Sequence, residues 1–439
     1  MAVNALLEKL LNRDGLARLF GSAIVGQALL SAGNFAVGLL LIRYSDDLNY
    51  GRYVLVQSAI LLLVTVQRAY VVEPMTVIAS QDSGDDKRNM VGSIRTGLQR
   101  FLRWALLLAA LPILPAWYAG GLPGEMAALI AAAALAGWAM LEREYLRSVL
   151  MLYYRPETVL KADLVFVSVL ILSVVLAVFV GGWVAVLAAL GTAIAAFAGR
   201  APANAALRRS PGWVSGDASA YWSRMSALAV WATIGASIHW LLGQGYNYVL
   251  AIKLDSSAVA QVNAIRLLLM PVFLMTIGIK ALLLPMAMRW DNEGGFVYLL
   301  KRLNQFVVVI ALLGCLYFVA LYFSADWILA NVFNKTYDDY RLMIVMWSLL
   351  ALIGLVREGF LAALMVRKRF RATAWMIGLS AFVTLTSMWF ALDFMGAPGA
   401  LVSLAAGEFL FLACVIYLAW REMLRPAEAE AVNVSGPVD

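Results

Sequence analysis

This 439-residue chain is poor in charge: 14% of its residues are charged and 63% are hydrophobic, where soluble domains carry roughly 25% charge. That excludes a large soluble domain. The single histidine and the two cysteines, Cys315 and Cys414, which both fall in apolar stretches, give no basis for a disulfide framework, a metal cluster or a cofactor site. No cleavable signal is expected at the start, because Lys9, Arg13 and Asp14 interrupt the apolar run and no small-residue cleavage site follows. Long connections are missing as well. The longest outer one expected runs from about Ser324 to Asp339. It is too short to hold the catalytic groups of an enzyme acting on the outer face, so no enzyme is predicted.

What is present is a series of apolar stretches. About 20 apolar residues cross the hydrocarbon core as a helix, and twelve such segments lie near 19–42, 53–80, 98–120, 122–146, 160–181, 183–205, 226–252, 258–288, 303–324, 340–366, 373–394 and 397–420. The predicted fold class is all-α, a polytopic membrane protein. With the N-terminus cytoplasmic, the outer loops hold only Arg43, Arg52, Lys253, Lys335 and Arg341 of the 34 Lys and Arg residues, while most of the rest collect in inner segments such as the Arg367-Lys368-Arg369-Phe370-Arg371 run. That bias predicts that both termini are cytoplasmic. The net charge of +7 is mostly topology, and nucleic acid is not an expected partner. Leu6, Leu7, Leu10 and Leu11 alternate with charges at helical spacing, predicting an interfacial helix over 1–18. The Ala/Glu-rich end, 421–439, is expected to be a disordered cytoplasmic tail.

The chain also matches itself. Shifted by 211 residues, Thr65 meets Thr276 and Pro74-Met75 meets Pro285-Met286. Shifted by 214, Leu141, Arg143, Glu144, Leu150, Met151 and Arg155 meet Leu355, Arg357, Glu358, Leu364, Met365 and Arg369. Two pseudo-symmetric six-helix bundles are predicted, 19–205 and 226–420, joined by a cytoplasmic linker over 206–225 that holds Pro211, Gly212 and Gly216. Repeated bundles with a site at the midplane are a common transporter plan.

Four cations interrupt the spans: Arg68, Arg266, Lys280 and Arg357. A cation near the bilayer centre costs about 2.5–3.5 kcal/mol, so each needs a partner, a wet cavity or an anionic ligand. The repeat sets Arg68 beside the position of Lys280. Arg266 lies fourteen residues before Lys280, about 40° away around an unbroken helix. These three are candidate anion-binding residues; the alternatives are that Arg68 pairs with Glu73 and that Lys280 snorkels to the inner surface. Arg143-Glu144 and Arg357-Glu358 read as structural charge pairs. On the first span Gln27, Ser31, Asn34 and Gly38 form one stripe, either a cavity lining or helix packing. The seventh carries His239, Gln244, Tyr246 and Asn247. His239, Glu73 and Glu408 are the groups chemically able to take up a proton.

With these residues in view, the chain resembles the oligosaccharide and polysaccharide flippases of the multidrug/oligosaccharidyl-lipid/polysaccharide exporter superfamily. The resemblance rests on GQALLSAGNFAVGLLLIRYSDDLNYGRYVLVQSAILLL at 26–63, where an amide-bearing helix leads into an acidic turn and Tyr50-Gly51, on REYLRSVLMLYYRP at 143–156, and on the twofold-repeated plan. It implies transport of undecaprenyl-diphosphate-linked oligosaccharide across the bacterial inner membrane by alternating access. Membrane lipids and polysaccharide polymerase or export machinery are the implied partners. Arg68, Lys280 and Arg266 would hold the diphosphate and Gln27, Asn34, Gln244 and Asn247 the sugars, with His239, Glu73 or Glu408 coupling transport to an ion gradient. The drug-exporting branch relies on acids in its first helix, and residues 19–42 contain none. The major facilitator signature is missing from Gln81–Arg95. A drug or amphiphile exporter, or a non-transporting scaffold of a polysaccharide assembly complex, are the alternatives.

Overall fold

A computed structural model describes residues 13–81, 85–208 and 219–424. Each of the twelve expected segments falls mainly on helix, with 98–120 broken by a turn at Leu111 and Pro112, and no strand occurs among the described residues. Nine of the described helices are long and apolar enough to cross a membrane, or ten if one bent pair is a single span.

Helix α1 (Arg13–Tyr44) begins inside the interfacial helix expected over 1–18, so residues 13–18 continue the first span; the remainder of that expected helix lies outside the described residues. The acidic turn then starts α2 (Asp47–Gln67), where the Asp46 carboxylate accepts from the Asn49 N–H at 2.6 Å, satisfying one of the first unpaired helical donors. A single π-type turn, Arg68–Val72, joins α2 to α3 (Glu73–Gln81). Pro74 accounts for it, having no N–H to give the Tyr70 carbonyl and needing room for its ring there. In α4 (Asp85–Ala110), Met90, Val91, Ile94, Leu98 and Leu102 form a buried stripe beside exposed Arg100 and Arg103, a more polar pattern than the apolar run expected over 98–120. The short α5 (Ile113–Tyr118) leads to α6 (Gly124–Leu152), α7 (Pro156–Val180) and α8 (Val184–Arg208). Residues 209–218 of the expected linker and 425–439 of the expected tail lie outside the described residues.

The second half comprises α9 (Ser219–Lys253), α10 (Ser256–Leu268), α11 (Met270–Trp327), α12 (Tyr340–Val366), α13 (Phe370–Met395) and α14 (Ala397–Met423). Between α10 and the first part of α11 the chain bends by 62° at Leu269, and Pro271 opens the next helix. The Tyr317 hydroxyl donates to the Leu268 carbonyl at 2.5 Å, taking up an acceptor at the helix end. This break removes the helical-period basis for expecting Arg266 and Lys280 to share one face, since counting around a helix requires an unbroken period. Helix α11 has a second discontinuity, an elbow at Gly294 and Gly295. Gly295 sits at φ 74°, ψ −176°, a region open essentially to glycine alone.

Contacts divide the chain into two compact units, Met1–Trp240 and Leu241–Asp439, with the division inside α9. In the first, α7 packs on α1 and α8, and α8 on α6. Its core includes Met75, Met90, Ile94, Tyr145, Leu146, Val149 and Met225, with the buried Tyr145 hydroxyl donating to the Val91 carbonyl at 2.8 Å. In the second unit, α14 packs on α12 and α13. A Cβ on Gly399 would stand 2.6 Å from the Ala391 carbonyl oxygen, and backbone yields little. Gly399→Ala should therefore destabilise the second unit by about 1–3 kcal/mol, read as a lower Tm of the purified protein in detergent. An unchanged Tm would show that α13 and α14 have slack there.

Candidate functional site

Three consecutive charges on α6, Glu142, Arg143 and Glu144, are all buried. Successive helical residues point about 100° apart, so each meets a different neighbour. Glu142 pairs with Arg200 of α8 and Arg143 with Asp163 of α7, while Glu144 lies 3.5 Å from Arg68 and 3.7 Å from Arg147. Arg147 also reaches Asp163 at 3.3 Å. The Arg143 guanidinium lies 3.9 Å from the centroid of the Phe166 ring. Arg143 and Glu144 thus do not form an ion pair with each other: Arg143 turns to Asp163, and Glu144 to Arg68 and Arg147. Likewise Arg68 meets Glu144, not the exposed Glu73.

Arg68, Arg143 and Arg147 share two carboxylates, Glu144 and Asp163. One positive charge is in excess, and it is reachable at Arg68. The Arg68 side chain is 53% exposed, against 5% for Arg143 and 17% for Arg147. On α1, Gly26 lies against Asp163 and Gly33 against Val167 of α7, while Gln27 and Asn34 are exposed and Ser31 is buried. The expected stripe thus splits into a packed side and an amide-bearing side. Amides are costly against lipid, so Gln27 and Asn34 fit a wet surface.

The second unit treats its arginine differently. Arg266, at the end of α10, has no ion-pair partner among the described residues; it donates to the Tyr246 hydroxyl at 3.1 Å and lies 5.5 Å from the Trp347 ring centroid and 5.7 Å from that of Phe273. From there a chain of bonds runs in one direction. Tyr246 donates to Asn263 at 3.0 Å, Asn263 to Asn247 at 2.7 Å, and Asn247 to Gln244 at 3.2 Å. The sequence-selected Arg266, Gln244 and Asn247 are thus brought together, with Asn263 and Tyr246 joining them. Asn247 is fully buried, so its amide orients the chain and is not available to touch a ligand in this conformation.

Farther along, Arg357 bridges two acids, Glu358 at 2.7 Å and Glu408 of α14, with the Phe411 ring centroid 5.0 Å away. Glu408, a candidate for proton uptake, is thereby tied into the charge pair expected for Arg357-Glu358. His239 is exposed. Lys280 lies on α11, and its side chain is outside the described residues.

Asp163, Glu142, Arg147 and Arg200 are absent from the residues selected by sequence. Asp163 did carry a signal, as an acid within the apolar 160–181 stretch; its partner on the preceding helix is fixed only by packing. Among the described residues no cluster of His, Cys, Asp and Glu is placed to hold a metal ion.

No protein-family model and no curated protein sequence matches the chain. Solved structures do match. An inward-facing multidrug resistance MATE family transporter of the MOP superfamily superposes with a TM-score of 0.73 at 10% identity, covering 94% of this chain and 100% of that one. For the lipid II flippase MurJ, in an inward closed conformation, the TM-score is 0.70 at 10% identity, over 90% of this chain and 86% of that one. A MOP superfamily transporter from Pyrococcus furiosus, described for the reverse polarity of its binding pocket, gives 0.62 at 11% identity, over 92% and 94%. The chain is an all-helical, multi-pass membrane protein with the fold of the transporters of the MOP (multidrug/oligosaccharidyl-lipid/polysaccharide) superfamily.

Proposed function

We propose that the protein is a flippase that carries a lipid-linked oligosaccharide, joined to its prenyl carrier through diphosphate, across the bacterial inner membrane for surface polysaccharide synthesis. One observation carries this reading: each unit holds an arginine in excess of nearby acids, Arg68 at the accessible end of its network and Arg266 among neutral groups. A diphosphate suits such groups, since each guanidinium gains charge-assisted hydrogen bonds while its own desolvation is offset. Lys280 is the third proposed contact. Gln27, Asn34 and Gln244 would meet the sugars, and Asn247 would hold the Arg266 chain in register. The absence of acids from residues 19–42 disfavours a cationic drug. Both termini would be cytoplasmic, and the units would work by alternating access, with His239, Glu73 and Glu408 as candidates for coupling.

Quantifying lipid-linked repeat units in a strain lacking the gene tests this directly. Accumulation on the inner leaflet is expected. Drug sensitivity without accumulation would replace the proposal with an exporter of soluble amphiphiles, and neither phenotype would point to a scaffold.

A further inference from the structure

The α11 elbow forms a cleft of about 330 Å³ lined by Met286, Arg289, Trp290, Glu293, Tyr298 and Arg302. This lies within the second unit and away from the Arg266 chain in sequence and in partners. Its volume is within the roughly 300–1,000 Å³ range of small-ligand clefts. Apolar helix leads into it and out of it, and the charges Arg289, Asp291, Glu293, Lys301 and Arg302 cluster at the turn. A short polar elbow between two apolar arms belongs at the boundary between lipid and water, the level at which Trp and Tyr also collect.

The charges are unevenly spent. Glu293 is engaged by Arg289 at 2.7 Å, and Asp291 by Arg367 at 3.5 Å. Arg302 has no ion-pair partner among the described residues; its Nε donates to the Tyr298 hydroxyl at 2.9 Å, and its guanidinium lies 5.0 Å from that ring's centroid. That bond fixes the plane of the guanidinium and leaves its terminal amino groups without a partner. A fork held this way matches two oxygens of one phosphate. Met286 and Trp290 supply an apolar wall beside the basic groups.

We propose that the elbow cleft binds the phosphodiester of an anionic membrane phospholipid, with the Arg302 fork on the phosphate, the terminal amino groups of Arg289 beside it while its Nε stays on Glu293, and Met286 and Trp290 against the glycerol and upper acyl chain. A lipid is favoured over a soluble anion because the phosphate position continues into apolar wall. Basic residues next to anionic lipid attract it individually and within a Debye length of the surface, so the effect requires no cavity deep in the protein.

The test uses the full chain, purified and delipidated in neutral detergent. Phosphatidylglycerol should raise the Tm of the wild type and remain bound to the folded monomer in native mass spectrometry, and phosphatidylcholine should do neither. The Arg289→Gln/Arg302→Gln pair should lose on the order of tenfold in phosphatidylglycerol retention, with its basal Tm in detergent unchanged because both side chains are exposed. Equal retention by the variant would overturn the site. Inorganic phosphate alone reproducing the wild-type shift, and losing it in the variant, would keep phosphate recognition and overturn the lipid as its source.

Discussion

Asp163→Ala is expected to remove about 3–5 kcal/mol from the first unit, the range for breaking a buried ion pair by deleting one partner. The carboxylate is 1% exposed and answers two arginines, Arg143 and Arg147. Without it, the guanidinium of Arg143 stays buried against α8 with the Phe166 face beside it and only the longer-range attraction of Glu144, which Arg68 and Arg147 already share. Thermal unfolding of the detergent-purified protein should show a Tm lower by on the order of 10 °C. Combining Asp163→Ala with Arg143→Met should recover part of the loss, because a well-packed apolar pair is often as stable as a buried ionic one. An unshifted Tm in the single variant would mean that water already reaches Asp163.

Arg68→Ala should behave in the opposite way, leaving the fold intact and removing transport. Its pair with Glu144 is long, at 3.5 Å, and half open to solvent, so little stability rests on it. Glu144 also keeps Arg147 as a partner. The contact to a phosphate would be worth about 2–5 kcal/mol, a loss of roughly 30-fold or more in transport. Flipping of a lipid-linked oligosaccharide in proteoliposomes is the readout, with Tm measured in parallel. Arg68→Lys should keep part of the activity, since it preserves the charge and loses the bidentate fork. Arg266→Gln is the matching change in the second unit, and it keeps a donor for the Tyr246 hydroxyl. Full transport by both variants would remove the anion-site assignment, while the flippase reading would still rest on the lipid intermediates.

Most spans were legible in the sequence because apolar length determines them: nine or ten described helices are long and apolar enough to cross, while the expected 98–120 is broken by a turn at Leu111 and Pro112. Charge partners were not. Arg143 and Glu144 adjoin in sequence, yet Arg143 pairs with Asp163 of α7 while Glu144 pairs with Arg68 and with Arg147 of its own helix, and Glu408 reaches Arg357 across fifty-one positions. Hydropathy carries no information on which helices touch. The break at Leu269 had its mark in Pro271, but a proline near a span's middle is compatible with a kink or a full stop, and the 62° bend follows from tertiary context. Arg266, Gln244 and Asn247 stand out as polar residues in apolar surroundings, and Asn263 has that same character.

The three adjoining charges of α6 also constrain how the chain enters a membrane. Of their partners, Arg68 has already been synthesised when α6 emerges, whereas Asp163 and Arg200 belong to α7 and α8 and have not. Released alone into lipid, α6 would carry Arg143 and Glu142 without their partners in the last turn of its apolar stretch, each at a cost below the about 2.5–3.5 kcal/mol of a charge at mid-membrane. The favourable course is for α6 to wait beside the insertion machinery until α7 and α8 arrive, so that the three partition together. The ion pairs that hold the finished unit would thus also set the order of its biogenesis, with α6, α7 and α8 as its smallest insertable piece.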